Sequence, residues 1–315
     1  MRFLARFLRL CSAPSLSELA RDGDIVRRAH ALVGFYYALL PAAAYIYLMG
    51  PVSGVIFEPD WQVGWIRMTN WGYAEAHGVI GIAFCIVALA AALLYRYRAA
   101  RIAAFLVITQ VHGIESSVLS VDTSWLLHLY TSCILIFLPR ARGSSADESR
   151  MTLLIVWTAQ AAVTLAYTMA GTQKLLHALV QAAHGEVNAF STYGFANQVA
   201  NYVPDHAPAL LAYYVISYPS ISSLFYIALI FFQLGSWWVM VRPSLHRGWG
   251  IVIIAFHMGT FLTLSVAFVN YVLIISALFL MSPFVPRDMS WRRFLADMPF
   301  IGHVARRVRP DVFHN

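Results

Sequence analysis

Lys174 is the residue in this 315-residue chain whose type is best suited to acid–base chemistry. It is the only lysine among 22 basic residues, and every other one is arginine. An arginine keeps its proton in a protein, whereas a lysine can release its proton once burial disfavours the charged form. Lys174 is therefore the one basic side chain that could act as a base. The alternative is a lysine that extends from a helix end to the lipid–water interface.

The segment that carries Lys174, residues 152–177, is apolar and long enough to cross a bilayer. Thr164, Tyr167, Gly171 and Lys174 recur at i, i+3, i+7 and i+10, so they share one face of the predicted helix. Small and polar residues on one face of a transmembrane helix typically contact other helices. We expect Tyr167 and Gly171 to contribute to a binding site beside Lys174.

Other polar and ionisable residues fall inside predicted membrane helices, at mid-depth or in the outer half: His77, His112, Glu115, His128, His257 and Asn270. Ionisable groups are costly within a bilayer and are functional candidates by default. One such histidine alone is more often a satisfied hydrogen bond between helices. Several at one depth predict a polar cavity that opens to the outer leaflet. We expect its catalytic or proton-relaying groups to be His112, Glu115, His128 and His257, and its binding groups to include His77 and Asn270.

The composition assigns the chain to the membrane proteins. Apolar residues make up 60% of the chain and charged residues 12%, whereas about 25% of a soluble domain is charged. The prediction is an all-α, polytopic bundle of transmembrane helices. The three cysteines have neither zinc-site spacing nor a disulfide framework, and no HExxH or histidine box is present, so no metal is predicted.

Hydropathy predicts about eight spans, at about 30–50, 74–95, 101–120, 124–139, 152–177, 220–241, 248–266 and 267–284. Residues 1–28 form a cytoplasmic N-terminal segment with an amphipathic helix lying on the inner surface. Residues 29–286 form the transmembrane domain, and 287–315 form a basic cytoplasmic tail. A belt of interfacial tryptophans is predicted in the first loop, at Trp61, Trp65 and Trp71.

The basic residues support this topology. With eight spans and both termini inside, all of them fall in cytoplasmic segments except Arg67 and Lys174. The positive charge is thus explained by membrane orientation, and no nucleic-acid partner is predicted. The expected location is a bacterial inner membrane, with the endoplasmic reticulum as the equivalent alternative.

The segment Tyr167-Thr-Met-Ala170-Gly171-Thr-Gln-Lys174-Leu175 resembles the Tyr-x-x-Ala-Gly-x-x-Lys-Leu signature of vitamin K-dependent gamma-glutamyl carboxylase and its bacterial relatives, the HTTM domain proteins. Three further segments are similar to that family: those starting at Tyr95, Asp122 and Phe256. The resemblance covers about residues 25–286. At two positions the chain differs from the family pattern: Thr123 stands for a histidine and Gln233 for an acidic residue.

The resemblance implies that Lys174 is the base that deprotonates a vitamin K-like hydroquinone, with Thr123 at the cofactor site. In the family the oxidised cofactor then removes a proton from a glutamate, which takes up carbon dioxide. The two differences make a reaction on a quinone-like or lipid-like substrate a better expectation for this chain than the carboxylation of peptides.

The sequence-based hypothesis is an integral membrane enzyme that uses Lys174 as a base on a reduced quinone or another hydrophobic molecule. The rival is a non-catalytic membrane subunit or assembly factor that binds a quinone or lipid. A transporter is disfavoured, because the sequence has no inverted repeat and no paired broken helices. The bilayer and the hydrophobic ligand are the expected partners, and the sequence does not identify a protein partner.

Overall fold

The computed structural model describes residues 19–50, 73–118, 125–139, 145–202, 209–266 and 268–286, together with residues 294, 295, 297 and 298. Several predictions concern residues outside these ranges. They are those for most of the N-terminal surface helix, the three tryptophans of the first loop, Thr123 and most of the basic tail.

All regular secondary structure in these ranges is helical, which confirms the predicted all-α class. The α-helices are α1 Gly23–Leu48, α2 Tyr73–Leu94, α3 Arg98–Val118, α4 Leu126–Leu135, α5 Ala146–Ala183, α6 Gly194–Tyr202, α7 Ala212–Ser217, α8 Pro219–Leu234, α9 Ser236–Val241, α10 His246–Leu264 and α11 Val269–Ile275. A 3-10 turn, Pro243–Leu245, precedes α10, and a π-helical turn, Ser276–Leu280, follows α11.

Four helical segments of the described chain are long and apolar enough to cross a membrane, as expected for a membrane protein. They are α1, most of α2, α5 and the segment Pro243–Leu264, and they correspond to predicted spans one, two, five and seven. Predicted span three is α3, which is 21 residues long but carries Arg98, Arg101 and Glu115 and is not among the four. Spans four, six and eight correspond to shorter apolar helices. By length and composition, the described residues therefore support four of the eight predicted spans.

The chain divides into two compact units, and helix α5 passes from one to the other at residues 163 and 164. We name each unit after a polar residue inside it. The His128 unit contains the described residues of 14–163 and 269–283. The Lys174 unit contains the described residues of 164–268 and those after residue 283.

In the His128 unit, α1 packs on α2, α2 on α3, and α3 on α4, and α11 contacts both α1 and α4. One face of α1 is buried, at Ala29, Leu32, Val33, Tyr36, Tyr37, Leu40, Ala43, Ala44 and Tyr47. This spacing of three and four residues is that of an amphipathic helix facing a core.

Arg101 is 1% exposed in the same unit, although the sequence analysis places it in a cytoplasmic segment. Its guanidinium donates hydrogen bonds to the carbonyls of Tyr95 at 3.0 Å and of Leu138 at 2.6 Å. These carbonyls lie just after the ends of α2 and α4, where the backbone lacks helical partners. Arg101 therefore satisfies the ends of two helices and is a structural residue.

In the Lys174 unit, the helices α6, α7, α8 and α10 pack around one another, and α9 packs on α10. Trp249 of α10 donates from Nε1 to the Ser236 hydroxyl at 3.0 Å, which attaches the start of α9 to α10. Helix α10 ends at Leu264, and the residue that caps it, Ser265, is a non-glycine residue with a φ of 58°. The last part of α5 brings Tyr167, Gly171 and Lys174 into this unit.

Candidate functional site

Gly171 is a point of close approach between α5 and α8. A Cβ atom at Gly171 would lie 2.7 Å from the backbone nitrogen of Leu234 and 2.9 Å from the Cβ of Gln233. Real Cβ atoms do not come so near to backbone atoms, so only glycine permits this contact. Gly171 therefore brings the end of α8 against α5, one turn before Lys174.

Lys174 is half-buried and donates a hydrogen bond from Nζ to Oε1 of Gln233 at 2.9 Å. Gln233 is 2% exposed, so its position is set by packing within the unit. In the part of the chain that the structure describes, no salt bridge includes Lys174. Its partner is neutral, and this hydrogen bond can form whether or not the amine carries its extra proton.

The ring of Phe256 lies below the amine, with 5.7 Å between Nζ and the ring centroid. A cation at this distance is attracted by the ring face, by about 0.5–2 kcal/mol depending on its exposure to water. The ammonium form of Lys174 therefore has a favourable contact as well. Both protonation states of the amine have a partner, which suits a group that takes up and releases a proton.

Tyr167 and His257 form a second polar pair in the same unit. The Tyr167 hydroxyl lies 2.6 Å from Nε2 of His257, and both side chains are 5% exposed. Trp249 packs edge-on against the Tyr167 ring, with 5.3 Å between the ring centroids. Tyr167 and Lys174 are seven residues apart, so they lie on one face of α5, as the sequence predicts.

A cavity of about 770 Å³ lies beside Lys174. It is bounded by α5, by the segment after α5, by α6 and by Tyr226 of α8. The sequence analysis predicts a polar cavity lined by histidines and Glu115, whereas the polar side chains of this one are mostly carboxamides: Gln173, Gln181, Asn188, Asn197, Gln198 and Asn201. Lys174 thus contacts Gln233 and Phe256 and also faces a polar cavity.

The remaining predicted residues lie in the His128 unit or outside the described chain. His128 is 1% exposed, and its Nε2 donates to the carbonyl of Asn270 at 3.1 Å. His77 is 3% exposed, and its ring packs on Tyr47 with 4.3 Å between centroids. His112 and Glu115 are half-buried in α3. Thr123 lies outside the described residues.

Within its own unit, His128 has the contacts of a residue that joins helices. It links α4 to α11 through the Asn270 carbonyl and lies against α1, whose Tyr36 hydroxyl is 3.4 Å from His128 Nδ1. Because a carbonyl only accepts hydrogen bonds, His128 carries a proton on Nε2, and Nδ1 can accept from the tyrosine. The described residues contain no group of three His, Cys, Asp or Glu side chains arranged to hold a metal.

Two residues of the site, Gln233 and Phe256, are not among the predicted site residues. Gln233 is the one strongly polar side chain in the otherwise apolar second half of α8. A polar residue within an apolar helix is also the reason why the sequence analysis selected His257, so the same criterion could have found Gln233. The carboxamides of the cavity are also visible in the sequence as a cluster, since five of them lie between residues 181 and 201. Nothing in the sequence indicates that these segments meet at Lys174.

The comparisons with known proteins give no match for this chain among protein-family models, curated proteins or solved structures.

Proposed function

We propose that the chain is a membrane-embedded enzyme in which Lys174 acts as a base on a hydrophobic, hydroxyl-bearing substrate such as a reduced quinone or a lipid. The observation that carries the proposal is the environment of the amine: half-buried, bonded to the neutral Gln233 and facing a cavity. A base must be uncharged before it reacts, and an ion-paired lysine would lose its pairing energy on giving up its proton.

In the proposed step the Lys174 Nζ accepts the proton of a substrate hydroxyl group, so that the O–H bond breaks and an N–H bond forms. The product ammonium is accommodated by the Phe256 ring and by the Gln233 oxygen. The pair of Tyr167 and His257, joined at 2.6 Å, supplies a second group on the same face of α5 that can hold or pass on a proton.

A quinone fits these residues in part. Phe256 offers an aromatic surface, and Lys174 with the nearby carboxamides can hydrogen-bond to the ring oxygens. The cavity itself is polar, so it suits the oxygen-bearing end of such a molecule and not an apolar tail. When bound, a quinone would supply the redox chemistry, which these side chains cannot.

The proposal includes the topology that the sequence predicts. Eight crossings, with both ends in the cytoplasm of a bacterial inner membrane, leave nearly all arginines on the inner side. The resemblance to the HTTM domain proteins, which include vitamin K-dependent carboxylase, supports the same assignment through the motif that contains Gly171 and Lys174.

The test uses the full chain in lipid nanodiscs with reduced menaquinone and oxygen, and measures the loss of the hydroquinone. We expect Lys174→Arg and Lys174→Met each to reduce the rate by about 100-fold or more, the usual contribution of a general base. Arginine can keep a hydrogen bond to Gln233 and a contact with Phe256, so the first variant isolates proton transfer. Arg247→Lys, which places a lysine on an exposed site of α10, is the control and should retain the wild-type rate.

Full turnover by Lys174→Arg would contradict the role of a base. The rival function, a subunit that only binds a quinone or lipid, predicts no turnover by the wild type. It also predicts that mass spectrometry finds the same co-purified ligand in the wild type and in Lys174→Arg.

A further inference from the structure

The composition of the cavity beside Lys174 is distinctive. Of the fourteen described residues that line it, six carry carboxamides and none is aspartate, glutamate or arginine. The only other polar groups of its side chains are the Lys174 amine, the His177 imidazole and the Tyr226 hydroxyl. A solvent-filled cavity at a protein surface is usually lined in part by charged side chains, because these are the residues most often exposed.

The carboxamides come from facing walls. Gln173 and Gln181, eight residues apart, lie on one side of α5 together with His177. Asn197, Gln198 and Asn201 lie on one side of α6. Both walls therefore present groups that donate and accept hydrogen bonds.

Most of these groups have no hydrogen-bond partner among the residues that the structure describes. Asn188 is the exception, because its side chain bonds to the carbonyl of Glu186 and to the amide of Phe190 and so shapes the segment between α5 and α6. The other five carboxamides make no hydrogen bond to the part of the chain that the structure describes. Their donors and acceptors are available to a ligand.

The available groups favour a neutral ligand that carries many hydroxyl groups. A hydroxyl donates and accepts, as a carboxamide does, so the two pair without leaving a charge. A phosphate group is best held by arginine forks, and none of the described residues that line the cavity is an arginine. The hydrogen-bonding capacity also exceeds what the two oxygens of a quinone ring could use.

The size and position of the cavity agree with a sugar. A volume of about 770 Å³ is within the range of sites for molecules larger than one ring. The ring of Tyr226 is held against Phe195, with 4.7 Å between centroids and 8° between planes, and offers a rigid aromatic surface. Helix α5 has 38 residues and is roughly 57 Å long, so it extends well beyond the roughly 30 Å hydrocarbon core.

We propose that the cavity bounded by α5, α6 and Tyr226 is a binding site for an uncharged, hydroxyl-rich group, a sugar. The sugar could be the head group of a membrane glycolipid or a free saccharide. This inference rests on the cavity alone and stands whether or not Lys174 acts as a base.

The experiment uses the single lysine as a sensor. The full chain, labelled with ¹⁵N only in lysine, gives one side-chain signal at the edge of the cavity. It is titrated in nanodiscs of phosphatidylcholine with free maltose, and separately in nanodiscs that contain increasing amounts of glucosyl diacylglycerol. The double variant Asn197→Leu/Gln198→Leu removes two wall groups, and Thr192→Leu is the matched control, an exposed residue of the same segment that does not line the cavity.

A saturable change of the lysine signal with either sugar, weakened at least tenfold in the double variant and unchanged in Thr192→Leu, is the expected result. Saturation by maltose identifies a free saccharide, and saturation only by the glycolipid identifies a head group. The proposal is overturned if neither sugar saturates the signal or if the double variant binds as the wild type does. Because no turnover is measured, failure here is distinguishable from failure of the base mechanism.

Discussion

Lys174 and His128 are both polar residues within apolar helices, but their surroundings differ. His128 is 1% exposed, bonds to the Asn270 carbonyl at 3.1 Å and lies against the Tyr36 hydroxyl. Lys174 is half-buried, bonds to the Gln233 side chain at 2.9 Å and faces a cavity of about 770 Å³. His128 is enclosed by its partners, whereas Lys174 can be reached by a ligand.

The difference teaches that polarity within the membrane does not by itself identify a catalytic group. A buried polar side chain whose partners are all supplied by neighbouring helices stabilises their packing. A polar side chain with one partner and access to a cavity can also bind and react. On this criterion Lys174 is the stronger functional candidate and His128 the stronger structural one.

The largest effect on stability is expected for His128→Leu. The change removes the imidazole that donates to the Asn270 carbonyl, contacts the Tyr36 hydroxyl and packs against the Trp125 ring. The loss of a buried hydrogen-bonding group costs about 1–3 kcal/mol, so we expect a loss of about 3 kcal/mol. The measurement is the free energy of unfolding in detergent micelles. His177→Leu, at an exposed position that lines the cavity, is the control and should change stability by less than about 0.5 kcal/mol. Equal effects of the two changes would remove the distinction between an enclosed histidine and an accessible one.

An intermediate effect is expected for Gly171→Ala. The added methyl group would meet the backbone of Leu234, so α5 and α8 must separate, at a cost of about 2 kcal/mol. The separation should also disturb the hydrogen bond between Lys174 and Gln233, which is visible as a shift of the lysine ¹⁵Nζ signal.

Gly259→Ala is the matched control for this change. Gly259 lies in α10 of the same unit, and a Cβ atom there would meet nothing within 4 Å. Alanine should therefore stabilise the helix by about 0.5–1 kcal/mol and leave the lysine signal in place. If both substitutions behave alike, the close approach at Gly171 does not position Gln233.

The smallest effect is expected for Tyr167→Phe. It removes the hydroxyl that lies 2.6 Å from His257 and keeps the ring that packs on Trp249, so stability should fall by about 1 kcal/mol. Tyr193→Phe, at an exposed position, should be neutral. In the hydroquinone assay Tyr167→Phe should slow turnover less than Lys174→Met does. A larger loss than that of Lys174→Met would make the pair of Tyr167 and His257, and not Lys174, the centre of the chemistry.

The sequence predicted the helical class, four of the membrane-length helices and the shared face of Tyr167, Gly171 and Lys174, because apolar length and helical spacing are local properties. It could not identify the partner of Lys174. Gln233 reaches the amine only because Gly171 allows α8 to come close, and this contact joins residues 59 positions apart in the chain.

The carboxamide lining of the cavity also lay beyond sequence reasoning. The carboxamides fall in a segment that reads as a polar loop with helical pieces, and polar loops are ordinarily solvated. Arg101 shows a related limit, since the counting of cytoplasmic charges gives no sign that one of them is buried against the ends of two helices.

The most direct test of the account is the ¹⁵Nζ signal of the single lysine in the full chain at pH 9, where an exposed lysine is still an ammonium, compared between the wild type and Gln233→Glu. The account predicts the signal of an uncharged amine in the wild type and that of an ammonium in Gln233→Glu, where a carboxylate would face the amine. An ammonium signal in the wild type, unaffected by Gln233→Glu, would contradict it and would describe a lysine that extends to the lipid head groups.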